Sequence, residues 1–113
     1  MSAIDQVKGH FSKLAVKTIE VPEWADESGA PLIIYSRPLT LAEKSKIVAV
    51  GDRDGRIAML AHALVLKAET AQGEKLFTIE HKHALMNSAD PDVVARVVTE
   101  IMMVSSIEES EKN

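Results

Sequence analysis

Leu32-Ile33-Ile34-Tyr35-Ser36-Arg37-Pro38-Leu39-Thr40-Leu41-Ala42-Glu43-Lys44-Ser45-Lys46-Ile47-Val48-Ala49-Val50 reads as a strand that turns into a helix with almost no linker. Its first residues are β-branched and aromatic, which suits a strand. Pro38 has no N–H to give to a sheet ladder, so the strand is expected to stop before it. Thr40 is a good helix N-cap, and Glu43 three residues on completes a capping box.

Working backward, Val16 to Val21 alternates loosely and reads as a partner strand, with Ile19 and Val21 on one face. Pro22-Glu23-Trp24 follows, then the turn-forming cluster Asp26-Glu27-Ser28-Gly29-Ala30-Pro31. The two strands are expected to form a β-hairpin with a long loop. A lone hairpin is marginal, so it must pack on helices or pair with another chain, and its edges are candidate subunit contacts. Residues 1–15 are expected to be a flexible or short helical arm. Ile4, Val7, Phe11 and Leu14 could form one helical stripe there, weakened by Gly9.

Working forward, the helix from Leu41 should place Leu41 and Val48 on one side with Ile47 beside them, and should break at Gly51-Asp52-Arg53-Asp54-Gly55. Arg56 to Ala68 is apolar nearly all round and reads as a central helix buried on more than one side. After the turn at Ala71-Gln72-Gly73-Glu74, Lys75-Leu76-Phe77 is a short extended link with Phe77 as an anchor. Thr78 is expected to cap a helix from Ile79 to about Asn87, without a capping box because His81 stands at the third position. Asp90 should cap a last helix with Pro91 in its first turn and Val94, Val97, Val98, Ile101 and Met102 on its apolar face. The expected architecture is α+β: an N-terminal hairpin followed by a packed set of about four helices, one domain over residues 16–106, and a disordered acidic tail over 107–113.

Length and composition narrow the function classes. The chain has 113 residues, 46% hydrophobic and 27% charged, so one folded domain is expected. There is no cysteine, which removes disulfides and thiolate metal sites. The apolar run Ile57 to Leu66 is far shorter than the roughly 20 residues of a membrane helix, and no signal peptide is visible. Residues 1–56 carry 8 basic and 8 acidic side chains and residues 57–113 carry 5 and 9. An acidic second half does not provide the clustered Lys and Arg of a nucleic-acid footprint. Neither membrane nor nucleic acid is expected as a partner.

Candidate chemistry is sparse. Asp52-Arg53-Asp54-Gly55 has the look of a calcium loop, but aligning Gly55 puts Val50 and Ala61 at ligand positions, which neither can serve. His81 and His83 lie two apart, and a helical metal pair wants a spacing of four. A small metal-dependent enzyme using His62, His81 and His83 is therefore the weakest reading. His62 is expected to be a hydrogen-bonded core or interface group. No catalytic, metal or cofactor residues are assigned and no enzyme activity is expected. Protein contact is expected at Trp24, Ile34, Tyr35, Val97, Ile101, Met102, Met103 and Val104. The stripe Ile101-Met102-Met103-Val104 reads equally as plain core or as a contact surface that Met can re-pack against varied partners, and Trp24 as a cover over the hairpin or as an exposed binding anchor. A homo-oligomer joined through the last helix and the hairpin edge is expected.

Val21-Pro22-Glu23-Trp24, then a turn, then Ile34-Tyr35-Ser36-Arg37-Pro38-Leu39-Thr40-Leu41-Ala42-Glu43 resembles the tail assembly chaperones of long-tailed bacteriophages. So does Gly73-Glu74-Lys75-Leu76-Phe77-Thr78, followed by a short helix, a proline and a final apolar helix. The resemblance covers roughly residues 16–106. The sequence departs from the pattern after Phe77, where Ile79 and His81 stand in place of a more acidic segment. The resemblance implies a non-enzymatic phage or prophage protein that coats the tape-measure protein, recruits tail-tube subunits, works in the cytoplasm of the bacterial host and is absent from the mature virion. A structural minor tail or head–tail component retained in the virion is the alternative. Two forms are also implied, the longer made by ribosomal frameshift. Glu111-Lys112-Asn113 is consistent with a slippery coding run for it.

Overall fold

The computed structural model describes residues 2–103. Expectations that fall on Val104 and on the tail at 107–113 lie outside the described residues. Strand β1 (Lys17–Val21) pairs antiparallel with β2 (Leu32–Ser36), with Ile19 opposite Ile34 and Val21 opposite Leu32. The sheet is two-stranded, and the fold is α+β. β2 ends two residues before Pro38, as the missing N–H requires. Ile19, Val21 and Ile34 point into a single core with Ile47, Leu64, Val93, Val97 and Ile101. The hairpin therefore gains its stability from the helices behind it.

Among the described residues, five α-helices flank or follow the hairpin. α1 (Ala3–Ser12) precedes it, and α2 (Leu41–Asp54), α3 (Arg56–Lys67), α4 (Lys82–Ser88) and α5 (Pro91–Met102) follow. α3 packs against α2, α4 and α5, which gives it the central place its apolar sequence predicts. α5 lays Val93, Val94, Val97, Val98 and Ile101 into the core and also meets β1. Lys17 at the start of β1 donates its ammonium to the carbonyls of Glu100 and Met103, satisfying free carbonyls at the end of α5 with a cation.

Four expectations need correction. α2 runs through Gly51 to Asp54, and only Gly55 ends it, at φ +95°. At Gly51 a β-carbon would lie 2.9 Å from the Met59 sulfur, so this glycine lets α2 and α3 approach rather than breaking the helix. The buried face of α2 is Ile47 and Val50; Leu41 is 87% exposed and Val48 is also exposed. The outer edge of β2 is partly occupied, because the Tyr35 N–H donates to the Glu69 carbonyl at 2.9 Å and the Tyr35 carbonyl accepts from the Glu69 N–H at 2.8 Å. Finally, Thr78 does begin a capping-box arrangement. Its N–H donates to His81 Nδ1 at 3.0 Å, so the imidazole takes the part usually played by Glu or Gln. The first turn there, Ile79–His81, is a 3-10 helix leading into α4.

Two ion pairs, each with one buried partner, join the elements. The Thr40 hydroxyl accepts from the Glu43 N–H and Glu43 Oε1 accepts from the Thr40 N–H, both at 3.0 Å, which is the predicted capping box. The same Oε1 accepts from Lys67 Nζ at 2.9 Å, and Lys67 lies buried in the last turn of α3. Burial works against the Glu43 carboxylate. Hydrogen bonds from Thr40 and Lys67 outweigh it and hold the carboxyl below the usual range. Arg37 grips the buried Glu69 with two hydrogen bonds, at 2.9 and 2.6 Å. This fork–fork pair locks the segment after α3 to the end of β2.

Candidate functional site

Trp24 ends a 3-10 turn, Pro22–Trp24, that directly follows β1. Pro22 pre-sets φ for that turn. Glu23 accepts two hydrogen bonds from Arg96 of α5, at 2.6 and 2.8 Å, which anchors the turn. The Arg96 hydrogen bonds pull the Glu23 carboxyl down to about 2. Trp24 is thereby held edge-on to Phe77, with ring centroids 6.3 Å apart and planes at 84°. Phe77 in turn stands edge-on to His81 at 6.5 Å and 89°. Both separations lie in the favourable range for T-shaped aromatic pairs.

This aromatic row forms one wall of an open groove of about 440 Å³. Leu32 of the hairpin, Leu76, and Leu85 and Ala89 of α4 and its C-terminal end complete its apolar lining. The lining is mostly apolar. A smaller hollow of about 180 Å³ lies on the other side of Leu85 and Ala89, against Leu60, Pro91 and Val94. α4 stands between the two and has no buried residue of its own. The polar side chains among the lining are the His81 imidazole and the Ser88 hydroxyl. The groove can take up apolar side chains and hold them against aromatic edges.

The residues expected to make protein contacts fall into three sets. Trp24 lines the groove, whereas the half-buried Tyr35 opens on a different hollow with Arg37 and Glu69. Ile34, Val97 and Ile101 are enclosed in the chain's own core. Met102 is half-buried against the core, Met103 is 54% exposed, and Val104 lies outside the described residues. The sequence reading missed Leu32, Leu76, Leu85 and Ala89 as groove residues; only Phe77, singled out as an anchor, pointed toward them.

The histidines stay apart in role. His62 is half-buried, and its Nδ1 is buried with no hydrogen-bond partner among the described residues, which corrects the expected hydrogen-bonded group. Burial, then the positive charges of Lys82, Arg53 and Lys46, push its pKa down. His83 is exposed. Among the described residues, no group of three or more His, Asp or Glu side chains is placed to hold a metal, and no helix is long and apolar enough to cross a membrane.

No protein-family model matches the sequence, and no curated protein and no solved structure matches it at a significant level.

Proposed function

We propose that the protein is a tail assembly chaperone of a long-tailed bacteriophage or prophage, which binds the tape-measure protein and brings tail-tube subunits to it. The observation that carries this reading is the ordered series of short motifs from Val21 to Glu43 and from Gly73 to Thr78. The positions of those motif residues in the fold support it. Arg37 and the Thr40–Glu43 pair build the framework, and Trp24, Leu76 and Phe77 build the open groove. A groove of this kind suits an amphipathic helix, which presents apolar residues at intervals of three and four. A tape-measure protein is a long chain able to supply many such segments.

The test is co-expression with a tape-measure protein from the phage or prophage that encodes this chain, followed by affinity purification. Co-purification is expected, and it should be lost in Trp24→Ala while far-ultraviolet circular dichroism stays unchanged. A tape-measure protein that remains insoluble or purifies alone would contradict the reading.

A further inference from the structure

We infer that the α4 side of the groove is pH-sensitive through His81: the neutral imidazole caps the turn that starts α4, and its protonation uncaps that turn and lets α4 come away from the groove. The first observation is the direction of one hydrogen bond. The Thr78 N–H donates to His81 Nδ1 at 3.0 Å. The lone pair is therefore on Nδ1 and the ring proton on Nε2. Glu or Gln, the usual residues at this place in a capping box, accept through an oxygen at neutral and mildly acidic pH alike. An imidazole instead gains its second proton between about pH 5 and 8. Two N–H groups then face each other and the hydrogen bond is lost. The Thr78 hydroxyl lies 3.5 Å from Nδ1. Turning the new N–H onto it draws the ring off the Thr78 N–H.

The second observation is the charge around the ring. His81 lines the groove with Trp24, Leu32, Phe77, Leu85 and Ser88, and no carboxylate is among the lining residues. Its own segment carries Glu80, Lys82 and His83. Of the elements packed around this turn, α3 carries Arg56, His62 and Lys67, the Trp24 turn carries Glu23, and the link before Thr78 carries Glu74 and Lys75. Arg96 holds Glu23, and Glu43 holds Lys67. Among the described residues, no carboxylate forms an ion pair with a histidine. A proton on His81 thus arrives without a counter-ion to replace the lost hydrogen bond.

The third observation is how little else holds α4. It has 7 residues and none is buried. Isolated helices shorter than about 12 residues are marginal in water. Its main packing is on α3, and Leu85 and Ala89 separate the two apolar hollows. An element with few buried contacts opens locally before the rest of the fold. Losing a cap raises the open population by about fivefold. Leu85 leaves with the helix, so acid joins the two hollows and bares Trp24 and Phe77 to water. The inference is independent of the tape-measure reading, since it concerns the free chain.

The experiment is amide hydrogen exchange of the full chain by nuclear magnetic resonance at about pH 7.5 and about pH 5.5, corrected for intrinsic rates. The wild type is compared with His81→Gln, which keeps an acceptor at both pH values, and His81→Lys, which has donors only. Position 81 is exposed, so both variants are expected to fold, and circular dichroism checks this. The amides of Met86, Asn87 and Ser88 are read against those of Leu64 and Val65 in α3, which cancels any global change with pH, including that from His62. Relative protection in the wild type should fall about fivefold on acidification. His81→Gln should stay protected at both pH values, and His81→Lys should be unprotected at both. Trp24, the one tryptophan of the chain, should shift its emission to the red on acidification in the wild type and not in His81→Gln. Relative protection that does not change with pH in the wild type overturns the inference. So does a pH dependence that His81→Gln retains, a His81→Lys helix as protected as the neutral wild type, or nitrogen-15 shifts that put the neutral ring's proton on Nδ1. A tryptophan shift equal in wild type and His81→Gln overturns the link to the groove.

Discussion

Replacing Glu43 by Gln isolates the charge in the junction between β2, α2 and α3. The amide oxygen of the new side chain can still accept from the Thr40 N–H, so the cap survives, but Lys67 loses its counter-ion. The Lys67 side chain is 5% exposed, and among the described residues its one other acceptor is the Pro38 carbonyl at 3.4 Å. Removing one partner of a buried pair costs about 3–5 kcal/mol. The Glu43 side chain keeps 28% of its surface in solvent, which moves the expectation to the lower end, about 3 kcal/mol, because water screens part of the attraction. Thr40→Ala removes the cap and keeps the charge, at about 1 kcal/mol. Lys67→Met leaves a partly solvated carboxylate and should cost about 1–2 kcal/mol, with the Glu43→Gln, Lys67→Met double variant less than additive. Urea unfolding monitored by circular dichroism at pH 7 reads all four. The pH dependence has a definite sign: the folded carboxyl titrates below its unfolded value. Its contribution is present above about pH 4.5 and disappears as pH falls through the folded value. Glu43→Gln should remove that acid-side loss. A Glu43→Gln midpoint no lower than that of Thr40→Ala would refute the argument that this pair holds the junction together.

Ile47→Ala should cost about 2–5 kcal/mol in the same assay, whereas Leu41→Lys should change stability by less than about 0.5 kcal/mol, since α2 buries the first and exposes the second. Arg37→Ala should cost about 1–2 kcal/mol by leaving the buried Glu69 with Lys75 alone, at 3.9 Å, and proteolysis should open the chain near residue 70 first. His62 titrates below its unfolded value, so the unfolded state takes up the proton first and stability falls as pH drops below about 6.5. His62→Phe should flatten that slope, measured by thermal melts between pH 5 and 7, and should cost little at pH 7 because the unpartnered Nδ1 disappears with the ring.

Local chemistry made the hairpin and the helix caps legible. Pro38, Thr40, Glu43, Asp90 and Pro91 act through their own or adjacent backbone groups, and the structure places each where the sequence suggests. The face of α2 was harder to read. Leu41, Ile47, Val48 and Val50 are all apolar, and only the approach of α3 at Gly51 decides which of them is covered. Lys67 and Glu43 stand 24 residues apart, and nothing near either announces the pair. The groove has the same origin: Trp24 and Phe77 are brought together by the turn that Arg96 anchors and by the segment that Arg37 ties to β2. The sequence showed Trp24 as an anchor without the wall it stands in. The cap at Thr78 is hidden in the sequence because its acceptor is an imidazole nitrogen, where a capping box ordinarily has Glu or Gln.

The central claim, a partner that acts during tail assembly and then leaves, is tested most directly by quantitative mass spectrometry. Infected or induced cells would be fractionated into assembly intermediates and finished particles. The account predicts the chain in complexes with the tape-measure protein before the tube is complete, and its loss from purified particles. A fixed number of copies retained in every finished particle would contradict it and identify a structural component instead.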